Sequence, residues 1–235
     1  MDLIWQGLVD AIKLLVHGDP QTLRVAGLSL LVSGMATLLA SLLGVPLGAL
    51  LALRRFRGRE VLVSLVNTGM GLPPVVVGLF VALLLWRSGP LGKLGLMYTP
   101  GAMILAQLLV AAPLAAGLTA SALGLLDVEV VAALRVDGAG EGRVLWEMLR
   151  AARPQVRVAI AAAFGRAISE VGASLMVGGN ILNETRILTT AVTLEVGKGE
   201  FARAIALGLV LLVLAFIVNL GLAQGGRRAL QMGLA

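Results

Sequence analysis

Most of the chemistry available to this chain sits in one short apolar stretch. In Phe164-Gly165-Arg166-Ala167-Ile168-Ser169-Glu170-Val171-Gly172-Ala173, a guanidinium, a hydroxyl and a carboxylate interrupt residues otherwise fit for hydrocarbon. Charges at membrane depth are expensive and face a protein interior or an aqueous cavity. Arg166 and Glu170 are four apart and share a helix face. Two roles fit that spacing. The two charges form a self-neutralising pair that locks spans together, or Arg166 lends positive potential to an anion pathway while Glu170 holds it in place. Ser169 lies between them, and Asn180, Thr189 and Thr190 in the polar stretch that follows offer further donors to such a path.

Enzymatic chemistry has little to work with. The pairs Gly92-Lys93 and Gly197-Lys198 lack the leading Gly and the following Ser or Thr of a phosphate-binding loop, so the chain has no such route to ATP. The single His17 stands apart from any carboxylate cluster, and cysteine is absent, which leaves no thiolate nucleophile and no His- or Cys-based metal site. The expectation is a non-enzymatic protein with no cofactor of its own.

The elements that must position these residues are apolar helices. Hydrophobic residues make up 58% of the 235-residue chain and charged residues 14%, against about 25% charge in a soluble domain; mean hydropathy is +0.96. Apolar runs long enough to cross ~30 Å of hydrocarbon recur. Spans are expected within Leu23–Leu53, about Leu62–Trp86, about Gly101–Leu123, about Gln155–Val177 and about Ala204–Ala223. The first contains Pro46. The second is interrupted by Gly69-Met70-Gly71-Leu72-Pro73-Pro74, where two prolines remove two donors and exclude a regular helix. Before them, Leu3–Val16 places Ile4, Leu8, Ile12 and Leu15 on one face of a surface-lying amphipathic helix that Gly18-Asp19-Pro20 ends. It lacks a basic n-region and a cleavage site, so it does not read as a signal peptide. Small residues four apart (Gly44 and Gly48, Gly117 and Ser121, Ala161 and Gly165) favour close helix packing.

One segment does not suit lipid. Leu125–Pro154 carries nine Asp, Glu or Arg residues among 30 and is helix-compatible, so it presents a surface to a partner in water. Five spans put the termini on opposite sides. One side collects Arg54, Arg55, Arg57, Arg59, Arg135, Arg143, Arg150, Arg153, Arg157, Arg227 and Arg228; the other holds Lys13, Arg24, Arg87, Lys93, Arg186, Lys198 and Arg203. The richer side is cytoplasmic by the positive-inside rule. The N-terminus is then outside, the C-terminus inside, and the charged segment cytoplasmic. The same bias accounts for the net charge of +6 without nucleic acid as a partner.

Within that segment, Ala132-Ala133-Leu134-Arg135-Val136-Asp137-Gly138-Ala139 resembles the EAA-x-x-x-G-A loop of importer-type ABC transporter permeases. The resemblance implies two short helices around a Gly-centred turn that docks on a cytoplasmic ATPase. Leu134, Val136, Leu145, Trp146 and Leu149 would form an apolar ridge, and Arg135, Asp137, Glu141 and Arg143 would set register by charge. Phe164–Ile181, followed by Thr185–Val192 and Gly197-Lys198-Gly199-Glu200-Phe201, is similar to tungstate uptake permeases, relatives of the molybdate and sulfate permeases.

Taken together, the expected architecture is an all-α membrane protein of the importer-type ABC permease fold, a single transmembrane domain over 1–235. Its parts are an amphipathic helix at 1–20, a core at 22–223 and a coupling loop at 125–154. The resemblance implies a C2 homodimer in the cytoplasmic membrane, a cytoplasmic ATPase dimer that binds the ATP and Mg, and an extracytoplasmic oxyanion-binding protein. The function implied is passage of an oxyanion, foremost tungstate, with molybdate or sulfate as alternatives within the class. A secondary anion transporter and a membrane scaffold are the rival classes.

Overall fold

The structure is a computed structural model that describes residues 2–16, 19–126 and 128–232. His17 and Gly18 lie outside the described residues, as do the side chains of Leu15, Arg227 and Arg228. Among the described residues the chain is helical throughout, without strands.

The sequence pattern places most elements well. Helix α1 covers Asp2–Val16. Helix α2 runs unbroken from Pro20 to Leu53, passing through Pro46; at 1.5 Å per residue its 34 residues extend about 51 Å, beyond the ~30 Å of hydrocarbon. Its start is fixed by Asp19, whose carboxylate accepts from the Thr22 amide at 2.8 Å and the Thr22 hydroxyl at 2.6 Å. Those bonds, the hydroxyl's first, hold the Asp19 carboxyl below its ordinary value.

The second span is not one helix but two, α3 (Arg59–Met70) and α4 (Pro74–Leu85), bent by 104° at the Gly-Pro-Pro stretch. Helix α5 (Pro100–Gly124) tolerates Pro113 and forms the centre of the packing, lying along α2 and touching α3 and α4. The fourth span is also broken. Helix α8 (Arg153–Ile168) stops at Ser169, and α9 (Gly172–Gly178) continues at 55° to it. The polar stretch expected to be an outer loop contains a helix, α10 (Leu188–Gly197), buried along its first turn, which packs on the long α11 (Phe201–Met232). Three helices are long and apolar enough to cross a bilayer alone, and the two bent pairs raise that to as many as five spans.

Small residues explain the close approaches, though not at every expected pair. A Cβ on Gly44 would lie 2.8 Å from the Ala112 carbonyl oxygen, and one on Gly48 would collide with the Ala116 carbonyl oxygen, so α2 and α5 meet backbone to backbone. A Cβ on Gly165 would meet nothing within 4 Å, so the Ala161–Gly165 pair makes no such contact. Helix α1 has a second contact that the apolar stripe does not make. It docks on α11 through Gly7, whose added Cβ would lie 2.5 Å from Ile205 Cγ2, and Ile4, Leu8 and Ile12 stay exposed. The apolar stripe is therefore turned outward, and a side-chain-free position makes the contact.

Two outcomes test this packing. Gly48→Val should lower thermal stability in detergent by at least about 1–3 kcal/mol through overpacking. Gly27→Ala on the same helix, where an added Cβ meets nothing within 4 Å, should not. The Asp19 cap is fully present above the ordinary carboxylate pKa of 3.8 and is lost as pH falls through its depressed native value. Wild type should therefore lose stability as pH falls below 3.8 more steeply than Asp19→Asn, which still caps but does not titrate.

Candidate translocation and coupling sites

The break in the fourth span is where the expected charge pair fails to form. Helix α8 ends at Ile168, so Arg166 and Glu170 do not lie on one continuous helix. Glu170 is 3% exposed, and its Oε1 accepts the Ala173 amide at 2.9 Å, which caps the first turn of α9. Its backbone carbonyl accepts from the Thr189 hydroxyl at 3.0 Å. Both polar ends of Glu170 therefore serve the backbone at the break, where no water would otherwise satisfy the freed groups. The reading of Arg166 and Glu170 as a self-neutralising i,i+4 pair is corrected by this geometry.

Arg166 is left as a cation without an acidic partner among the described residues. It is half-buried in the last turn of α8, where the helix dipole favours positive charge. Thirteen residues separate it from Arg153 at the start of that helix, about 20 Å of rise. It therefore stands deep within the span rather than at its edge. Ser169, exposed, donates to the Arg166 carbonyl at 3.2 Å and marks the same open side.

The two breaks adjoin. Gly172 lies against Val75, its missing Cβ 2.5 Å from Val75 Cγ2, and Gly78 lies against the Ala173 backbone. The halves that follow each break, α4 and α9, pack on one another. Behind them Gln107 Nε2 donates to Ser174 Oγ at 3.0 Å in a fully buried position.

Thr189, Thr190 and Asn180 are tied into the structure. Thr189 and Thr190 are buried in the first turn of α10, not in a solvated loop. Thr190 Oγ1 accepts from the Ile187 amide at 3.1 Å and donates to the Ile187 carbonyl at 3.0 Å. Asn180, at φ 54°, accepts from Arg186 Nε at 3.2 Å and donates to the Thr190 carbonyl at 3.4 Å. Ser29, which no pattern singled out, reaches from α2 to accept the Leu188 amide at 2.8 Å and caps α10. A lone serine in an apolar helix gives no sign of such a role.

At the other end of the molecule, α6 (Val128–Val136) and α7 (Glu141–Ala151) flank the turn at Gly138. Gly138 has φ 78°, and the Ala139 amide reaches back to the Leu134 carbonyl at 3.0 Å, closing a Schellman-type helix end that needs glycine. Ala132, Ala133, Arg135, Asp137, Glu141 and Arg143 are exposed around this turn and Ala139 is half-buried. The expected apolar ridge divides. Val136 and Trp146 are exposed, while Leu134, Leu145 and Leu149 pack inward with buried Val144 and Met148 against Ala49 and Leu123. Glu141 sits between Arg135 (3.3 Å) and Arg54 (3.7 Å), tying the loop to the end of α2.

Broken membrane helices around a buried polar centre, with an amphipathic helical loop at one end, define a membrane transport protein. Comparison gives the family. The binding-protein-dependent transport system inner membrane component family matches residues 44–228. The chain is 40% identical over 219 residues to the tungstate uptake system permease protein TupB of Peptoclostridium acidaminophilum, covering 93% of this chain and 96% of that one. It is 35% identical to the TupB of Campylobacter jejuni, with 93% and 92% covered, and 29% identical to the molybdenum transport permease ModB of Escherichia coli K12, with 89% and 96% covered. A bacterial ABC transporter that imports alginate shares the fold at TM-score 0.74 and 19% identity, over 93% of this chain and 83% of that one. The chain belongs to the binding-protein-dependent transport system inner membrane components, the permease subunits of ABC importers.

The support at the break is open to a direct check. Thr189→Val removes the donor to a buried carbonyl while keeping side-chain shape, and should cost about 1–3 kcal/mol in detergent melts. Thr193→Val, whose hydroxyl bonds only within α10, should change stability by less.

Proposed function

We propose that this chain is the permease subunit of a tungstate importer. The observation that carries the reading is the 40% identity, across nearly the whole of both chains, to a tungstate uptake permease. In this reading two copies form a C2 homodimer in the cytoplasmic membrane, with the N-terminus outside and the C-terminus in the cytoplasm. An extracytoplasmic oxyanion-binding protein delivers the anion to one face. ATPase subunits, which hold the ATP and Mg, engage the α6–α7 loop through the Asp137–Gly138–Ala139 turn; this subunit needs no cofactor. The structure of an alginate importer with its periplasmic binding protein, which shares the fold, is in keeping with such an assembly.

Arg166 is the pathway charge in this account. A guanidinium on an open side of a membrane-embedded helix, beside an exposed serine, does not face lipid. Water and an oxyanion, or the second copy, must cover it, and a homodimer with its path between the subunits supplies both. With no acidic partner, Arg166 keeps its five donors for an oxyanion, which a carboxylate-paired arginine would not. Glu170 is the positioning residue. By capping α9 and anchoring to Thr189 it fixes the bend that ends α8 two residues beyond Arg166.

The test is uptake of labelled tungstate into vesicles that hold the permease, its ATPase and its binding protein. Uptake should require ATP. Arg166→Ala should slow it at subsaturating anion by at least about tenfold, the loss of one hydrogen bond to a charged group, and Arg166→Lys should retain part of the rate. Unchanged uptake by Arg166→Ala would exclude the pathway role. Gly138→Pro should abolish uptake together with ATPase binding; if both survived, the coupling assignment would be lost. ATP-independent uptake driven by an ion gradient would instead mark a secondary transporter.

A further inference from the structure

The end of α2 beside the α6–α7 loop is ringed by arginines. Arg54, Arg55, Arg57 and Arg59 follow directly on the apolar run that ends at Leu53. Arg59 Nε is committed to the Leu51 carbonyl at 2.7 Å, and Arg54 leans on Glu141 at 3.7 Å. Arg55 has no acidic partner among the described residues.

Two hollows meet at the Arg54–Glu141 contact. One, of about 790 Å³, is lined in its polar part by Arg54, Arg55, Arg135 and Glu141, three cations against one anion. The other, of about 310 Å³, is an apolar groove between α2 and α7, walled by Pro46, Ala49, Leu50, Leu53, Val144 and Leu145. Leu53, Arg54 and Glu141 belong to both. A basic hollow thus opens directly onto an apolar groove, at the level where a membrane helix gives way to arginines.

We propose that this junction binds an anionic phospholipid, with the headgroup phosphate among Arg54, Arg55 and Arg135 and an acyl chain along the groove. The charge complements a phosphodiester, which carries one negative charge against an excess of two positive ones. The groove argues for a lipid over a free anion, because an inorganic oxyanion has no use for apolar walls. Basic pockets between membrane helices are where such headgroups bind. The consequence concerns the loop. A phosphate among these arginines competes with Glu141 for Arg54 and Arg135, so an occupied site exchanges the tie that Glu141 makes between the α6–α7 loop and α2 for one through lipid. The proposal stands on these cavities and does not depend on which anion the protein carries.

The experiment uses the full chain in phosphatidylcholine vesicles containing a minor fraction of phosphatidylglycerol, with lipid retention per chain read by native mass spectrometry after extraction. Wild type should retain phosphatidylglycerol in preference to phosphatidylcholine. Arg54→Gln and Arg55→Gln should each reduce that preference about fivefold. Arg55→Gln keeps the test valid if loss of the Arg54–Glu141 contact unfolds the loop. Leu50→Trp, which fills the groove without changing charge, should reduce the preference as well. Arg57→Gln, at a residue that lines neither hollow, should leave it intact. An equal loss in Arg57→Gln would reduce the effect to diffuse surface attraction and overturn the site. Retention unaffected by Leu50→Trp, or abolished by excess inorganic phosphate, would overturn the lipid assignment.

Discussion

A helix interrupted inside hydrocarbon strands amide and carbonyl groups where no water can take them, and the arrangement of this protein follows from where two such interruptions are satisfied. At the first, Pro73 and Pro74 remove the donors outright, so the chain turns by 104° with fewer groups to satisfy. At the second, Glu170 takes the Ala173 amide with its side chain and gives its carbonyl to Thr189. This brings α10 into the core as a structural element. Thr189 must be buried beside the break, and Ser29 on α2 must cap the start of α10 to hold it there. The two breaks then pack against each other through glycines at 172 and 78, which admit the neighbouring chain where any side chain would not.

Charge is distributed according to the same constraint. Within the membrane the acid is spent on backbone and the base is left uncommitted. At the membrane edge the reverse holds, since Glu141 joins Arg54 and Arg135 and so fastens the α6–α7 loop to α2. Those pairs are about half exposed, so each is worth little in isolation; together they set the angle of the loop against α2. The buried contacts under the loop, from Val144 and Met148 to Ala49 and Leu123, make that angle a property of the helix core.

Much of this was readable from residues alone. The apolar runs located the membrane helices, Gly-Pro-Pro announced the first break, and the Gly138 turn falls where a helix end in the left-handed region needs glycine. The second break was not readable. Gly165–Ala173 contains no proline, and residues four apart suggest a shared face unless the helix is known to stop. What holds the break is in part local, the Glu170 carboxylate capping an amide three residues on, and in part long-range, a threonine some twenty residues downstream. Helix α10 was hidden for a related reason. Its threonines look like solvated loop residues until the break supplies partners that make their burial affordable. The docking of α1 on α11 likewise depends on Gly7 meeting Ile205 near the other end of the chain. Local pattern carries local structure; the site itself is built from contacts between distant segments.

In the proposed importer, the capped bend at Glu170 presents an unpaired Arg166 to an aqueous anion path. The chain has no cysteine, so Ser169→Cys creates a single thiol on the exposed side beside an intact Arg166. In the assembled transporter, a membrane-impermeant thiol reagent should modify this cysteine, and tungstate should slow the modification. A thiol that stays unreactive until the protein is unfolded, or that reacts at a rate indifferent to tungstate, would contradict the account.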